Sequence, residues 1–149
     1  MEAFVATLGA TDTATFGPCY LGYFYCFNTQ RYYEAHDVLE HLWLKGGRSA
    51  PDYAFYKGLI QLAGAFVHLK LQHTHPRHPK HGKRLAPARR LFLLAGQNLM
   101  PYSPCHHRLN LEIPISLARR YAERLEIAPE INPWSPYVTP LLPVPKDIA

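Results

Sequence analysis

His36, Glu40 and Trp43 recur at helical spacing within residues 31–44, so an imidazole, a carboxylate and an indole share one helix face. On such a face the His36 and Glu40 side chains are neighbours, with Cβ atoms roughly 5 to 6 Å apart. A carboxylate beside an imidazole fixes its tautomer and raises its basicity, which suits general-base work or the orientation of a metal ligand. A second row, Lys57, Gln61, Gly64 and His68, follows at the same period. Antiparallel docking of the two helices brings Gln61 or His68 close to His36 and Glu40, with Trp43 as an anchor, and creates a small polar pocket inside a bundle.

A divalent metal is the candidate cofactor of that pocket. His36 and Glu40 supply two ligands from one helix, and zinc needs a third from elsewhere, for which His68 is the candidate. No His-Glu-x-x-His motif is present. The plainer alternative is a structural hydrogen bond that closes a helix contact. On that reading Glu40→Ala leaves a buried imidazole under-satisfied and costs about 1 to 3 kcal/mol.

The charge is unevenly spread. Net charge is +5 at pH 7, and residues 53–111 carry no carboxylate side chain. An anionic ligand or nucleic acid is therefore a second candidate partner, met by Arg77, Lys80, Lys83, Arg84, Arg89 and Arg90 within the 70–90 region. No helix-turn-helix, zinc-finger or RNA-binding signature accompanies these cations, and a basic soluble surface explains them equally. The tract His73, His75, His78, His81 is able to chelate transition metals opportunistically, although most such tracts are solvated loops. A phosphate-binding glycine loop and a Gly-x-Ser-x-Gly elbow are both missing. Cys19, Cys26 and Cys105 are odd in number and form no Cys-x-x-Cys pair, which disfavours a disulfide scaffold and points to reduced thiols in the cytoplasm. The start, Met1-Glu2-Ala3-Phe4-Val5, has no basic leader, and no apolar run approaches the ~20 residues of a membrane span.

The elements that position these groups read as helices. At 149 residues the chain suits one domain, with a loosely held leader over 1–18, a helical bundle over 19–127 and a proline-rich tail over 128–149. Cys19 to Phe27 is a short apolar run, read as helix. Asn28 and Thr29 are candidate caps for a helix from 30 to about 45, which Gly46-Gly47 ends. Ser49-Ala50-Pro51-Asp52 starts a long helix from 53 to about 72, with apolar residues at 55, 59, 62, 66 and 69 in one stripe. Gly58 and Gly64 within it allow another helix to approach closely. Residues 73–83 read as loop, 87–99 as a third long helix, and 114–125 as a shorter one opened by Pro114. Prolines 129, 133, 136, 140, 143 and 145 bar a helix beyond Ala128. Trp134, Tyr137, Val138, Leu141 and Leu142 are too apolar for a solvated tail, so it wraps the body or a neighbouring subunit, and a homo-oligomeric interaction protein is the third functional alternative. The expected fold class is all-α, a compact bundle of about four to five helices with an extended tail.

Two blocks carry a family resemblance: Phe27-Asn28 through Glu34-Ala35-His36-Asp37-Val38-Leu39-Glu40 to Trp43, and Phe55 through Gly58-Leu59-Ile60-Gln61-Leu62-Ala63 to His68. Over residues 27–72 the chain resembles a bacterial, archaeal and plastid family known as domain of unknown function 309. The family pattern is matched at Asn28, His36, Glu40, Trp43, Gly58 and Gln61. The chain departs from it with Asp37 where Glu is usual, Lys57 where Gln is common, and a longer histidine-rich loop before the third long helix. The resemblance implies a small all-helical bundle without implying an activity, since fold does not determine function. The pocket candidates are thus Asn28, His36, Glu40, Trp43, Gln61 and His68.

Overall fold

The computed structural model describes residues 17–145, so most of the leader and the last four residues of the tail lie outside the described residues. The fold is all-α. Among the described residues five helices, α1 (Pro18–Asn28), α2 (Tyr32–Gly46), α3 (Tyr53–Thr74), α4 (Leu85–Leu99) and α5 (Glu112–Ile127), form a compact bundle. Between α4 and α5 lies a small hairpin that the sequence reading lacks: β1 (Cys105–His106) pairs antiparallel with β2 (Leu109–Asn110). Single 3₁₀ turns at His81–Lys83 and Met100–Tyr102 flank α4.

Local chemistry accounts for the boundaries. Pro18 sits in the first turn of α1, where its missing N–H costs nothing. At the other end the Thr29 hydroxyl donates to the Tyr25 carbonyl at 2.9 Å. Thr29 therefore closes α1 instead of opening α2, and Gln30, at φ 65°, turns the chain between them. No side-chain cap serves α2, which corrects the expected role of Asn28 and Thr29. Asp52 occupies the N-cap position of α3, yet its carboxylate makes no capping bond.

Helix α3 is the spine, packed against α2 on one side and α4 on another, while α5 covers α4 and α1 packs on α2. Its stripe of Phe55, Leu59, Leu62, Phe66 and Leu69 is fully buried. Phe66 meets four rings, those of Phe27, Tyr32, Phe92 and Tyr121, at centroid distances of 5.4, 5.2, 5.1 and 4.9 Å. Such edge-to-face and offset contacts each add about 0.5 to 1.5 kcal/mol beyond simple burial. The Tyr23 hydroxyl, also buried, donates to the Leu59 carbonyl at 2.6 Å and ties α1 to the middle of α3.

The two α3 glycines differ in purpose. A Cβ at Gly58 would lie 2.8 Å from Leu99 Cγ and 3.2 Å from Asn98 Cβ, so this glycine permits the close approach of α4. A Cβ at Gly64 meets only Leu91 Cδ1, at an ordinary 3.4 Å. Gly58→Ala is expected to destabilise by about 1 to 2 kcal/mol, overpacking outweighing the gain in helix propensity. Gly64→Ala is expected to be neutral or to stabilise by up to about 1 kcal/mol. Parallel denaturant titrations check the pair, and equal effects would show that α4 does not ride on Gly58.

Beyond α5 the chain returns over α3, α2 and α1. Asn132 Nδ2 donates to the Leu69 carbonyl at 2.7 Å, Trp134 Nε1 donates to the Tyr32 hydroxyl at 3.1 Å, and Asn28 exchanges two 2.8 Å bonds with the backbone of Leu142. Trp134 and Leu142 are buried. Among the described residues no helix is long and apolar enough to cross a membrane.

Candidate functional site

The link over residues 47–52 returns the chain from α2 into α3, and the two polar rows meet along their contact with Leu91 of α4 closing one wall. Between them lies an open groove of about 460 Å³. His36, Glu40, Trp43, Gln61 and His68 all line it, together with Lys57, and Ile60, Val67 and Leu91 supply apolar wall. Asn28 does not belong there. Its amide is spent at the C-terminus of α1 on Leu142, far along the chain, so its placement in the pocket is corrected.

His36 Nε2 stands 3.3 Å from Glu40 Oε2, with the two side chains 33% and 35% exposed. The imidazole is solvated, contrary to the buried pair expected from sequence. Glu40→Ala should therefore shift stability by less than about 1 kcal/mol, the usual range of an exposed helical pair, as a thermal melt will read. Gln61 Oε1 accepts from Asn98 Nδ2 of α4 at 2.7 Å, which leaves the Gln61 amide protons free to act as donors. The Trp43 ring lies 5.2 Å from that of Tyr53, and among the described residues its buried Nε1 has no hydrogen-bond partner.

His68 is set by Arg84. The guanidinium, which can only donate, lies 2.9 Å from His68 Nδ1, so Nδ1 accepts and the ring proton sits on Nε2. Burial first, then the charges of Arg84 and Arg90, push the His68 pKa below its ordinary value. A lowered imidazole pKa means the unfolded chain binds a proton that the folded chain refuses. The His68 contribution is thus intact above the unfolded value near 6.5 and is lost as pH falls through the lower folded value. His68→Gln should flatten the dependence of the melting temperature on pH below 6.5, and an unchanged slope would remove His68 as its source.

The expected metal set of His36, Glu40 and His68 does not converge. Among the described residues, ligand atoms of three His, Cys, Asp or Glu side chains come within 4.8 Å of one another only at Asp52, His106 and His107. The Nδ1 lone pair of His68 is also committed to Arg84.

The basic region is less free than its composition implies. Arg77, Lys80, Lys83 and Arg90 are exposed, but Arg84 is held by His68 and by His81 Nδ1, and Arg89 lies 3.9 Å from Glu126. The histidine tract is internally organised: His78 Nδ1 accepts from the amides of Lys80 and His81, each at 3.0 Å. Two of its four imidazoles thereby use a ring nitrogen for the loop's own fold.

The cluster that sequence reading missed joins α3 to the hairpin. Asp52 Oδ1 lies 2.7 Å from His106 Nε2, and Oδ2 lies 2.7 Å from His107 Nε2. These bonds lower the Asp52 pKa against the opposing effect of its partial burial, which is the largest single influence. The available signal was weak: two adjacent histidines and the last carboxylate before an acid-free stretch.

No curated protein and no solved structure matches the chain. Residues 20–76, which span α1, α2 and α3 with both groove-lining rows, match the family described as Domain of unknown function (DUF309). Through this segment, 57 of its 149 residues, the chain is similar to the DUF309 family.

Proposed function

We propose that the groove between α2 and α3 binds a small amphipathic acid, a molecule with an apolar or aromatic body and a carboxylate or similar anionic head. The observation that carries this reading is a concentration of donors on apolar walls. Lys57, the Gln61 amide and the Nε2–H of neutral His68 all line the groove, while its one carboxylate, Glu40, is already paired with His36. The indole of Trp43 and the side chains of Ile60, Val67 and Leu91 suit the body of such a ligand. A groove of about 460 Å³ lies within the usual range of small-molecule sites. The His36–Glu40 pair then orients an imidazole toward the bound head instead of building a metal centre.

The test uses 1-anilinonaphthalene-8-sulfonate, an aromatic anion of suitable size, on the Trp134→Phe background, where Trp43 is the only remaining indole. Saturable quenching of Trp43 is expected. Lys57→Ala together with Gln61→Ala should weaken it at least tenfold, since hydrogen bonds to a charged group are worth about 1.5 to 3 kcal/mol each. Equal affinity in the double variant would discard the reading.

A further inference from the structure

We propose that Asp52, His106 and His107, none of which lines the groove, form a divalent transition-metal site of the two-histidine, one-carboxylate type, independent of the groove's reading. Nitrogen and carboxylate ligands of this set suit zinc and its neighbours better than magnesium or calcium, which prefer oxygen alone.

The backbone places the two imidazoles together. Consecutive residues of a strand point to opposite faces, so adjacent histidines in an extended hairpin cannot ordinarily share a ligand. Here His107 and Arg108 take left-handed φ values of 45° and 58°, uncommon for residues other than glycine. The turn brings both rings to one side, with centroids 4.2 Å apart. Across from them Asp52 forgoes the capping bond that its position at the start of α3 would allow, one worth about 1 kcal/mol, and offers one oxygen to each ring.

The three groups are held from behind. His106 packs on Phe55 and Tyr102, both at 4.8 Å, and His107 stacks on Tyr56 at 6.2 Å. The Tyr20 hydroxyl donates to the His107 carbonyl at 2.9 Å, and the Tyr102 hydroxyl donates to the Pro51 carbonyl at 2.8 Å, beside Asp52. Fixed rings of this kind are what a preorganised metal site requires.

The spacing also fits. Zinc bonds of about 2.0 to 2.2 Å set tetrahedral ligand atoms about 3.3 Å apart. The two oxygen–nitrogen contacts of 2.7 Å need to part by about half an ångström, and the three ligand atoms, spread within 4.8 Å of one another, to draw in by up to about 1.5 Å at their widest, to admit the ion. Three protein ligands leave a coordination position for water or an external ligand, and the side chains, 29 to 36% exposed, keep it open to solvent.

The experiment is a calorimetric titration of tag-free, full-length protein with Zn²⁺, beside Asp52→Asn, His106→Gln and a loop variant with His75, His78 and His81 all changed to alanine. Wild type and the loop variant should share one saturable site, and Asp52→Asn and His106→Gln should each weaken it at least tenfold, with helical circular dichroism verifying the fold. Co²⁺ added to wild type provides a readout without substitution: hyperfine-shifted imidazole resonances from two histidines, absent on the loop. Binding lost in the loop variant and unchanged in Asp52→Asn, no saturable binding by wild type, or shifted resonances from fewer than two histidines would each overturn the site and leave Asp52 as a structural clasp of the hairpin.

Discussion

Trp134→Ala is expected to lower the unfolding free energy by about 3 to 5 kcal/mol, the usual cost of removing a buried tryptophan, and the melting temperature by roughly 10 to 15 °C. The indole is 3% exposed in a segment with no helix of its own. It packs edge-on against Tyr32 at 6.2 Å and His73 at 5.5 Å, and its N–H satisfies the Tyr32 hydroxyl. Truncation opens a cavity above the ring of Tyr32 and takes that hydrogen bond with it. Trp134→Phe retains most of the ring surface and forfeits the bond, so its cost should be nearer 1 to 2 kcal/mol. Scanning calorimetry of the two variants separates packing from hydrogen bonding. A Trp134→Ala melt equal to wild type would mean that the returning tail contributes nothing to the bundle.

The four longer helices were legible because each has a period, whereas α1 is a short apolar run that reveals none. Phe55, Leu59, Leu62, Phe66 and Leu69 mark the buried side of α3, and Gly46-Gly47 acts as a local stop of α2 whose chemistry is independent of the rest of the chain. The groove followed from the same periodicity, since two polar rows on consecutive helices meet wherever the helices pack. Asn28 was misplaced because an amide near a helix end can cap the next helix or clasp a distant segment, here the backbone of Leu142, and only the path of the tail decides. That path has no periodic signal. Asp52 and the pair His106–His107 escaped for a different reason: their convergence depends on contacts across 54 and 55 residues and on left-handed backbone at His107, neither of which residue type encodes. His36 and Glu40 were placed beside each other correctly but expected to be buried, because spacing defines a helix face and not how much solvent reaches it.

Phe66→Ala should cost about 3 to 5 kcal/mol as well, yet leave the groove's affinity per folded molecule nearly unchanged. The residue is fully buried, and its ring contacts come from α1, α2, α4 and α5 at once, so no single neighbour can relax into the space without disturbing the others. Gln61, Gly64 and His68 line the groove from another face of the same helix, separated from Phe66 by the turn of the backbone. Stability and binding are therefore carried by different faces of α3. Denaturant unfolding beside a titration with the anilinonaphthalene probe, at a temperature where the variant is still folded, tests the separation. Phe66→Ala should move the first measurement alone, and the Lys57→Ala, Gln61→Ala pair chiefly the second. A Phe66 variant that folds but loses probe binding tenfold would show that the groove is shaped through the aromatic core, with ring packing transmitted across the helix to the polar row.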